Sequence, residues 1–93
     1  MREARHPLLV VGLESVLFWI EADRTQIASF VTRECLEDDF RCPSKGYNQH
    51  AVACYLSNRA TINALALAKY RAGDYPPKVR SGDVHALRRL TAH

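Results

Sequence analysis

Apolar residues alternate between two sides near the N-terminus, which is the pattern of a β-strand. Val16, Phe18 and Ile20 would lie on one side of this strand, and Leu17 and Trp19 on the other. The alternation therefore predicts a strand that includes residues 16–20.

The next segment predicts the second strand of an N-terminal hairpin. Alternation continues over residues 25–32, and the intervening residues 21–24 have the right length for a hairpin turn. This turn contains no glycine, so we expect backbone strain at Asp23 or Arg24. A preceding strand over residues 7–11 would extend the sheet to three strands.

Helical patterns follow the hairpin. Thr32 can cap a short acidic helix over residues 33–40 by accepting amide protons of its first turn. Asn48 can begin a long helix that stops at Gly73. One band of this helix is apolar and is expected to lie on the sheet. Its members are Val52, Tyr55, Leu56, Ile62, Ala66, Leu67 and Tyr70.

The back of the long helix is also nearly free of charge. Leu65 lies outside the apolar band, and Ala64 and Ala68 flank it on the same side. A second apolar surface has to be covered, either by the C-terminal segment or by another copy of the protein. Leu65 is therefore our candidate residue for self-association as a homodimer.

The C-terminal part is predicted to be extended and then helical. Residues 74–80, DYPPKVR, are kept out of the helical region by their two prolines. A last short helix has Val84, Leu87 and Leu90 at helical spacing. Strands first and helices after predict an α+β fold: a small antiparallel sheet of two or three strands, packed against one long helix, with short flanking helices.

Bulk composition adds bounds on class and compartment. The 93 residues are 47% hydrophobic and 25% charged, which predicts one globular domain over residues 1–93. The longest apolar run, residues 16–20, is too short for a membrane span, and the N-terminal apolar residues 8–11 are too few for a signal-peptide core. Three cysteines do not suggest a disulfide framework, so we expect a cytoplasmic protein without membrane contact.

Charge is divided unevenly along the chain. Residues 1–40 hold eight acidic and four basic side chains, whereas residues 41–93 hold nine basic and two acidic ones. The two halves can attract each other within the fold, which is the interpretation we favour, or the basic half can bind an anionic partner. For nucleic acid, the candidate contacts lie near Tyr70 and Tyr75. They are Lys69, Arg71, Lys78, Arg80, Arg88 and Arg89.

Arg59 and Asn63 stand one helical turn apart in the predicted apolar band. A guanidinium that faces a core has to be paired, because burial of an unpaired charge is costly. We expect an internal ion pair between Arg59 and the acidic helix over residues 33–40. The alternatives are an anion site formed by Arg59 and Asn63, or an Arg59 head that reaches solvent.

Metal binding and catalysis have weak signals. Cys42, His50 and Cys54, with Cys35 nearby, form the single metal-like set, but they lack the paired short spacings of a structural zinc site. No glycine-rich phosphate loop is present. We therefore expect no metal and no cofactor, and an enzyme with a cysteine nucleophile stays a minor alternative.

Two stretches resemble a known family. The hairpin leading into the helix TRECLEDDF, residues 32–40, is similar to the corresponding part of the bacterial domain-of-unknown-function 1488 family. The later stretch NRATINALALAKYRAG, residues 58–73, resembles a helix of that family. The resemblance covers residue 16 to about residue 84. It implies the same fold, and it implies no activity, because the family has none assigned.

These observations lead to two functional hypotheses. The first is a small cytoplasmic accessory or regulatory module without catalytic activity that associates with itself. The second is a nucleic-acid-binding module that uses the basic C-terminal segment.

Overall fold

A computed structural model describes residues 5–84, which form a mixed four-stranded sheet and three helices. The strands are β1 (Leu8–Val10), β2 (Ser15–Ala22), β3 (Thr25–Thr32) and β4 (Lys78–Val79). The helices are α1 (Arg33–Asp39), α2 (Tyr47–Ser57) and α3 (Arg59–Arg71). The predicted α+β class is confirmed, and the predicted last helix falls largely in residues 85–93, outside the described part.

The sheet has the order β1-β2-β3-β4. The predicted hairpin is confirmed, with β2 and β3 antiparallel along their whole length, and the third predicted strand pairs antiparallel with β2. The predicted sheet was too small, because β4 adds a fourth strand parallel to β3 through Phe30 opposite Lys78 and Val31 opposite Val79. A strand of two residues is too short to show alternation, so its pattern could not predict it.

The hairpin turn has the expected backbone strain. Asp23 has a φ of 51° and Arg24 has a φ of 63°, so both residues are left-handed. Two-residue hairpins favour this conformation because it matches the twist of the flanking strands. Residues other than glycine are disfavoured in the left-handed conformation, so the backbone strain predicted from the absence of glycine is confirmed.

One predicted helix is confirmed and the other is divided. Thr32 caps α1, and its Oγ1 accepts a hydrogen bond from the Cys35 amide at 3.2 Å. The single long helix was wrong, because Asn58 has a non-helical backbone between α2 and α3. Its Nδ2 donates to the Cys54 carbonyl at 2.8 Å. Asparagine side chains compete in this way for backbone groups and interrupt helices.

The buried face of α2 and α3 differs from the predicted apolar band. Leu65 is only 4% exposed, whereas Leu56 is 46% exposed. The observed face is rotated by roughly a quarter turn, toward Tyr47, Ala51 and Leu65. Apolar residues occur all round this segment, so helical periodicity did not select one face. The prediction that Leu65 is an outward-facing self-association residue is therefore wrong.

The core lies between the sheet and the helices. Phe18 of β2 stacks on Tyr55 of α2, with ring centroids 4.7 Å apart. Phe18 shares one face of the sheet with other buried strand residues. These strand residues form a single hydrophobic cluster with buried residues of all three helices. The cluster includes Val16, Ile20, Ile27, Val31, Leu36, Ala51, Ile62, Leu65, Ala66 and Val79. In residues 5–84, the helices thus form one layer on one face of the sheet.

Candidate functional site

The other face of the sheet, here called the outer face, is apolar. Strand pairing places Leu8 beside Leu17 and Leu17 beside Phe30. Trp19 lies beside Ala28 in the next row of side chains. Leu8 is 46% exposed, and the other four side chains are half-buried. The five residues form a continuous apolar patch on the side of the sheet opposite the helix layer.

Charged groups lie at the margin of this patch. The Arg5 guanidinium carbon stands 5.5 Å from the centre of the Trp19 ring, which is a cation–π distance. Glu21 and Lys78 are the next outer-face positions on β2 and β4. The patch therefore has an apolar centre and a polar rim, as protein interfaces do.

Arg59 and Asn63 serve an internal contact. The Tyr55 hydroxyl donates to Asn63 Oδ1 at 2.6 Å. Burial raises the pKa of Tyr55, while the nearby Arg59 charge and the hydrogen bond to Asn63 oppose that rise. The two residues therefore meet at a tyrosine hydroxyl, which leaves the anion-site alternative without support from this geometry.

The predicted partner of Arg59 was wrong. Arg59 is exposed and lines a cavity of about 90 Å³ with Trp19 and Glu21, near the hairpin turn. Helix α1 begins at the opposite end of β3, which is roughly 20 Å away at about 3.3 Å per residue. The buried face of α3 is rotated away from the predicted band, so Arg59 lies at the edge of that buried face. Its guanidinium therefore needs no buried carboxylate.

The acidic side chains of α1 have other partners. Glu37 pairs with Arg33 at 2.9 Å. Asp38 accepts from the Ser81 hydroxyl at 3.1 Å, and Asp39 accepts from the Gly82 amide at 3.0 Å. Helix α1 therefore fixes the turn that follows β4.

The predicted nucleic-acid contacts gather partly at the β4 edge of the sheet. Lys69 in the last turn of α3, Lys78 in β4 and Arg80 line a cavity of about 230 Å³ together with Tyr75. We call this cavity the basic groove. Arg71 lines an adjoining open depression of about 690 Å³, and Tyr75 borders that depression as well. The remaining two predicted contacts, Arg88 and Arg89, lie outside the described residues.

Tyr75 is the most exposed large hydrophobic side chain of the structure's described part, at 73%. Its ring meets Tyr70 edge-on, with centroids 6.4 Å apart and planes at 67°. Tyr70 is half-buried at the end of α3, so it supports the Tyr75 ring from the protein side. The Tyr75 ring therefore stands between the two cavities and remains accessible.

Cation pairing differs within the basic groove. Lys69 Nζ contacts Asp83 Oδ2 at 3.0 Å, and the same oxygen accepts from the Arg80 amide at 2.6 Å. Across residues 5–84, no carboxylate lies within ion-pair distance of the Lys78 or Arg80 side chains. Among residues 5–84, the groove therefore presents two cations that form no ion pair, and one carboxylate, Asp74, lies in its wall.

The cysteines are not arranged as a metal site in the described part of the chain. Among residues 5–84, no three His, Cys, Asp or Glu side chains come together as a ligand set. Cys54 and Cys42 share a side-chain contact, and His50 is exposed. Burial raises the pKa of Cys35 to about 12, with a further rise from Asp39, and burial also raises that of Cys54 to about 12. Nucleophilic thiols need the opposite shift.

Comparison with known proteins gives the family. Residues 13–80 match the family described as protein of unknown function DUF1488. The chain belongs to the DUF1488 family. The match runs from the start of β2 into the segment after β4, which confirms the resemblance of the hairpin and the helices. No curated protein and no solved structure matches this DUF1488 chain.

The outer face of this DUF1488 protein was not identified as a surface from the sequence. Its signal was present, because Leu17 and Trp19 alternate with the core residues of β2. A strand with two apolar sides needs cover on both, and the helices cover one. Among the helices of residues 5–84, none combines the length and the hydropathy that a membrane span requires.

Proposed function

We propose that this DUF1488 protein is a small accessory or regulatory module without catalytic activity, and that two copies associate through their outer faces. One observation carries the proposal: the patch of Leu8, Leu17, Trp19, Ala28 and Phe30 lies on the side of the sheet that the helix layer leaves uncovered. Apolar patches of this kind mark interaction surfaces on small proteins.

A second copy is the occupant that fits the chemistry of the patch. In a two-fold symmetric contact, the same patch faces itself, so apolar side chains meet apolar side chains. The five residues carry no charge, and their association buries no unpaired ion. Two sheets that pack face to face also form a common arrangement, with about 10 Å between their planes.

The size of the face predicts a weak, reversible dimer. Strands β2 and β3 have eight residues each, so the sheet is roughly 26 Å long and 15 Å wide. Two such faces, with the relief of their side chains, bury roughly 1,000 Å² in total. That area is near the lower limit for specific interfaces.

The thiol chemistry supports a role without catalysis in a reducing compartment. The raised pKa values of Cys35 and Cys54 keep these thiols protonated at neutral pH. All three cysteines are free thiols, although the side chains of Cys42 and Cys54 are in contact. Free thiols are typical of cytoplasmic proteins, which supports the cytoplasmic location that we propose.

The proposal is tested by the fluorescence of the single tryptophan. Trp19 lies in the patch, so its emission should shift to shorter wavelength as protein concentration rises from ~1 μM to ~1 mM, when the dimer removes water from the indole. Sedimentation equilibrium over the same range should show a monomer–dimer equilibrium. A chain that stays monomeric at ~1 mM would overturn the proposal.

A matched pair of variants locates the interface. Leu8 and Leu56 are both 46% exposed, but Leu8 lies on the outer face and Leu56 on α2 in the helix layer. Leu8→Glu should weaken dimerisation at least tenfold, because it brings charge into an apolar contact. Leu56→Glu should leave the dimerisation constant unchanged. Equal weakening by both variants would contradict the outer face as the interface.

A further inference from the structure

The basic groove and the exposed ring of Tyr75 lie at the β4 edge of the sheet, where Lys78 borders the patch on the outer face. We infer that this site binds single-stranded nucleic acid, with one base stacked on Tyr75 and the neighbouring phosphates held by Lys78 and Arg80. The inference concerns the groove and the Tyr75 ring, which adjoin the patch, and it does not require dimerisation.

Two of the predicted cations have a structural explanation and two do not. Lys69 and Arg71 lie in the last turn of α3, where the negative end of the helix dipole attracts cations. Lys69 is also paired with Asp83. Lys78 and Arg80 are on β4 and just after it, and within residues 5–84 neither forms an ion pair. The charge available to a ligand therefore comes mainly from Lys78 and Arg80.

The exposure of Tyr75 points to a stacking partner. A tyrosine that is 73% exposed gains little from its own fold, yet its ring is held in place by the edge contact with Tyr70. Aromatic rings next to cations form the usual platform for unpaired bases, because every base has a π-face. The open depression on the Arg71 side and the groove on the Lys78 side give the strand a path past the ring.

A single strand fits this arrangement better than a duplex. Bases in a duplex are stacked on one another, so their faces cannot reach a tyrosine ring unless they are unstacked at a cost of a few kcal/mol. Sequence readout in the major groove needs an inserted helix or ribbon, and Tyr75 lies on a loop between α3 and β4. We therefore expect binding with little sequence preference.

Fluorescence anisotropy with labelled oligonucleotides tests the inference. The probes are a twelve-residue oligothymidylate, a twelve-residue oligouridylate and a twelve-base-pair duplex, each at ~50 mM and ~200 mM salt. At least one single strand should bind more tightly than the duplex. With two or three phosphate contacts, its affinity should fall about 7- to 20-fold between the two salt concentrations. No single-strand binding at ~50 mM salt, or equal binding of the duplex, would overturn the inference.

Variants assign the two contributions. Tyr75→Ala should weaken binding of the single strand about 5- to 160-fold, whereas Tyr75→Phe should retain the native affinity because the ring persists. Lys78→Ala and Arg80→Ala should each reduce the slope of log affinity against log salt by about 0.7. Lys45→Ala is the matched control, since Lys45 is an exposed lysine that lines neither cavity.

The controls also define failure. All these positions are exposed or half-buried, so circular dichroism should show the native fold in each variant. Native affinity in Tyr75→Ala would contradict a stacked base. An equal change of salt slope in Lys45→Ala would mean that binding follows net charge rather than the groove.

Discussion

Replacement of Leu65 by alanine tests the packing of the helix layer directly. Leu65 is 4% exposed, so the variant loses nearly all the transfer free energy of three carbon atoms, about 2.4 kcal/mol. The cavity that remains adds to this loss, and buried Leu→Ala changes cost about 2.7–5.0 kcal/mol in a well-studied lysozyme. We expect Leu65→Ala to lower the free energy of unfolding by about 3–4 kcal/mol.

Leu56 provides the matched control. It is the same residue type in the same helix layer, but it is 46% exposed, so about half of the transfer free energy is already absent. Its removal leaves an open surface rather than a cavity. Leu56→Ala should therefore cost about 1 kcal/mol, and the difference in helix propensity is common to both variants and cancels.

Urea denaturation at micromolar protein measures both values. For 93 residues, the native stability is about 5–14 kcal/mol, which exceeds the expected loss, so Leu65→Ala should remain folded in water. With a slope of about 1.2 kcal/mol per M, the midpoints should fall by about 3 M and 1 M respectively. Equal shifts would refute the assignment of Leu65 to the core and restore the helix face predicted from the sequence.

Two further changes probe the backbone and the buried thiol. Arg41 follows α1 with a φ of 55°, so Arg41→Gly should raise the free energy of unfolding by about 0.5–1 kcal/mol. Ala72 has a φ of −81°, so Ala72→Gly should lower the free energy of unfolding by a similar amount. Thermal melts compare the two variants, and stabilisation by both would contradict the conformational cause. Burial raises the pKa of Cys35 from 9.0 to about 12, so the unfolded chain ionises first and stability should fall above pH 9. Urea midpoints from pH 8 to pH 10.5 should fall less in Cys35→Ala, and an identical fall would remove Cys35 from the explanation.

Local patterns were sufficient for the elements near the N-terminus. The alternation in β2 and β3 separated core from outer residues because side chains of a strand point to opposite faces at every step. The hydroxyl of Thr32 identified the start of α1, because capping is a contact within one turn. The missing glycine likewise predicted the strained residues Asp23 and Arg24.

The helical region was predicted less well, for a physical reason. Apolar residues surround the segment from α2 to α3, so more than one face could have been buried. The choice was made by contacts from distant parts of the chain, such as Phe18 of β2 against Tyr55. An asparagine such as Asn58 is also compatible with a continuous helix, so its presence in the sequence did not predict the interruption. The interruption depends on the hydrogen bond from Asn58 Nδ2 to the Cys54 carbonyl.

The candidate surfaces divide in the same way. The sequence by itself determined the family, the hairpin, the acidic helix and the basic character of the C-terminal half, because these depend on residue type and short spacing. Only the tertiary structure decided that Leu65 is internal, that within residues 5–84 the helices leave one apolar face of the sheet free, and that Lys78 and Arg80 stand beside Tyr75. Those outcomes depend on which faces meet when β4 pairs with β3, far away in sequence, and no local pattern contains that information.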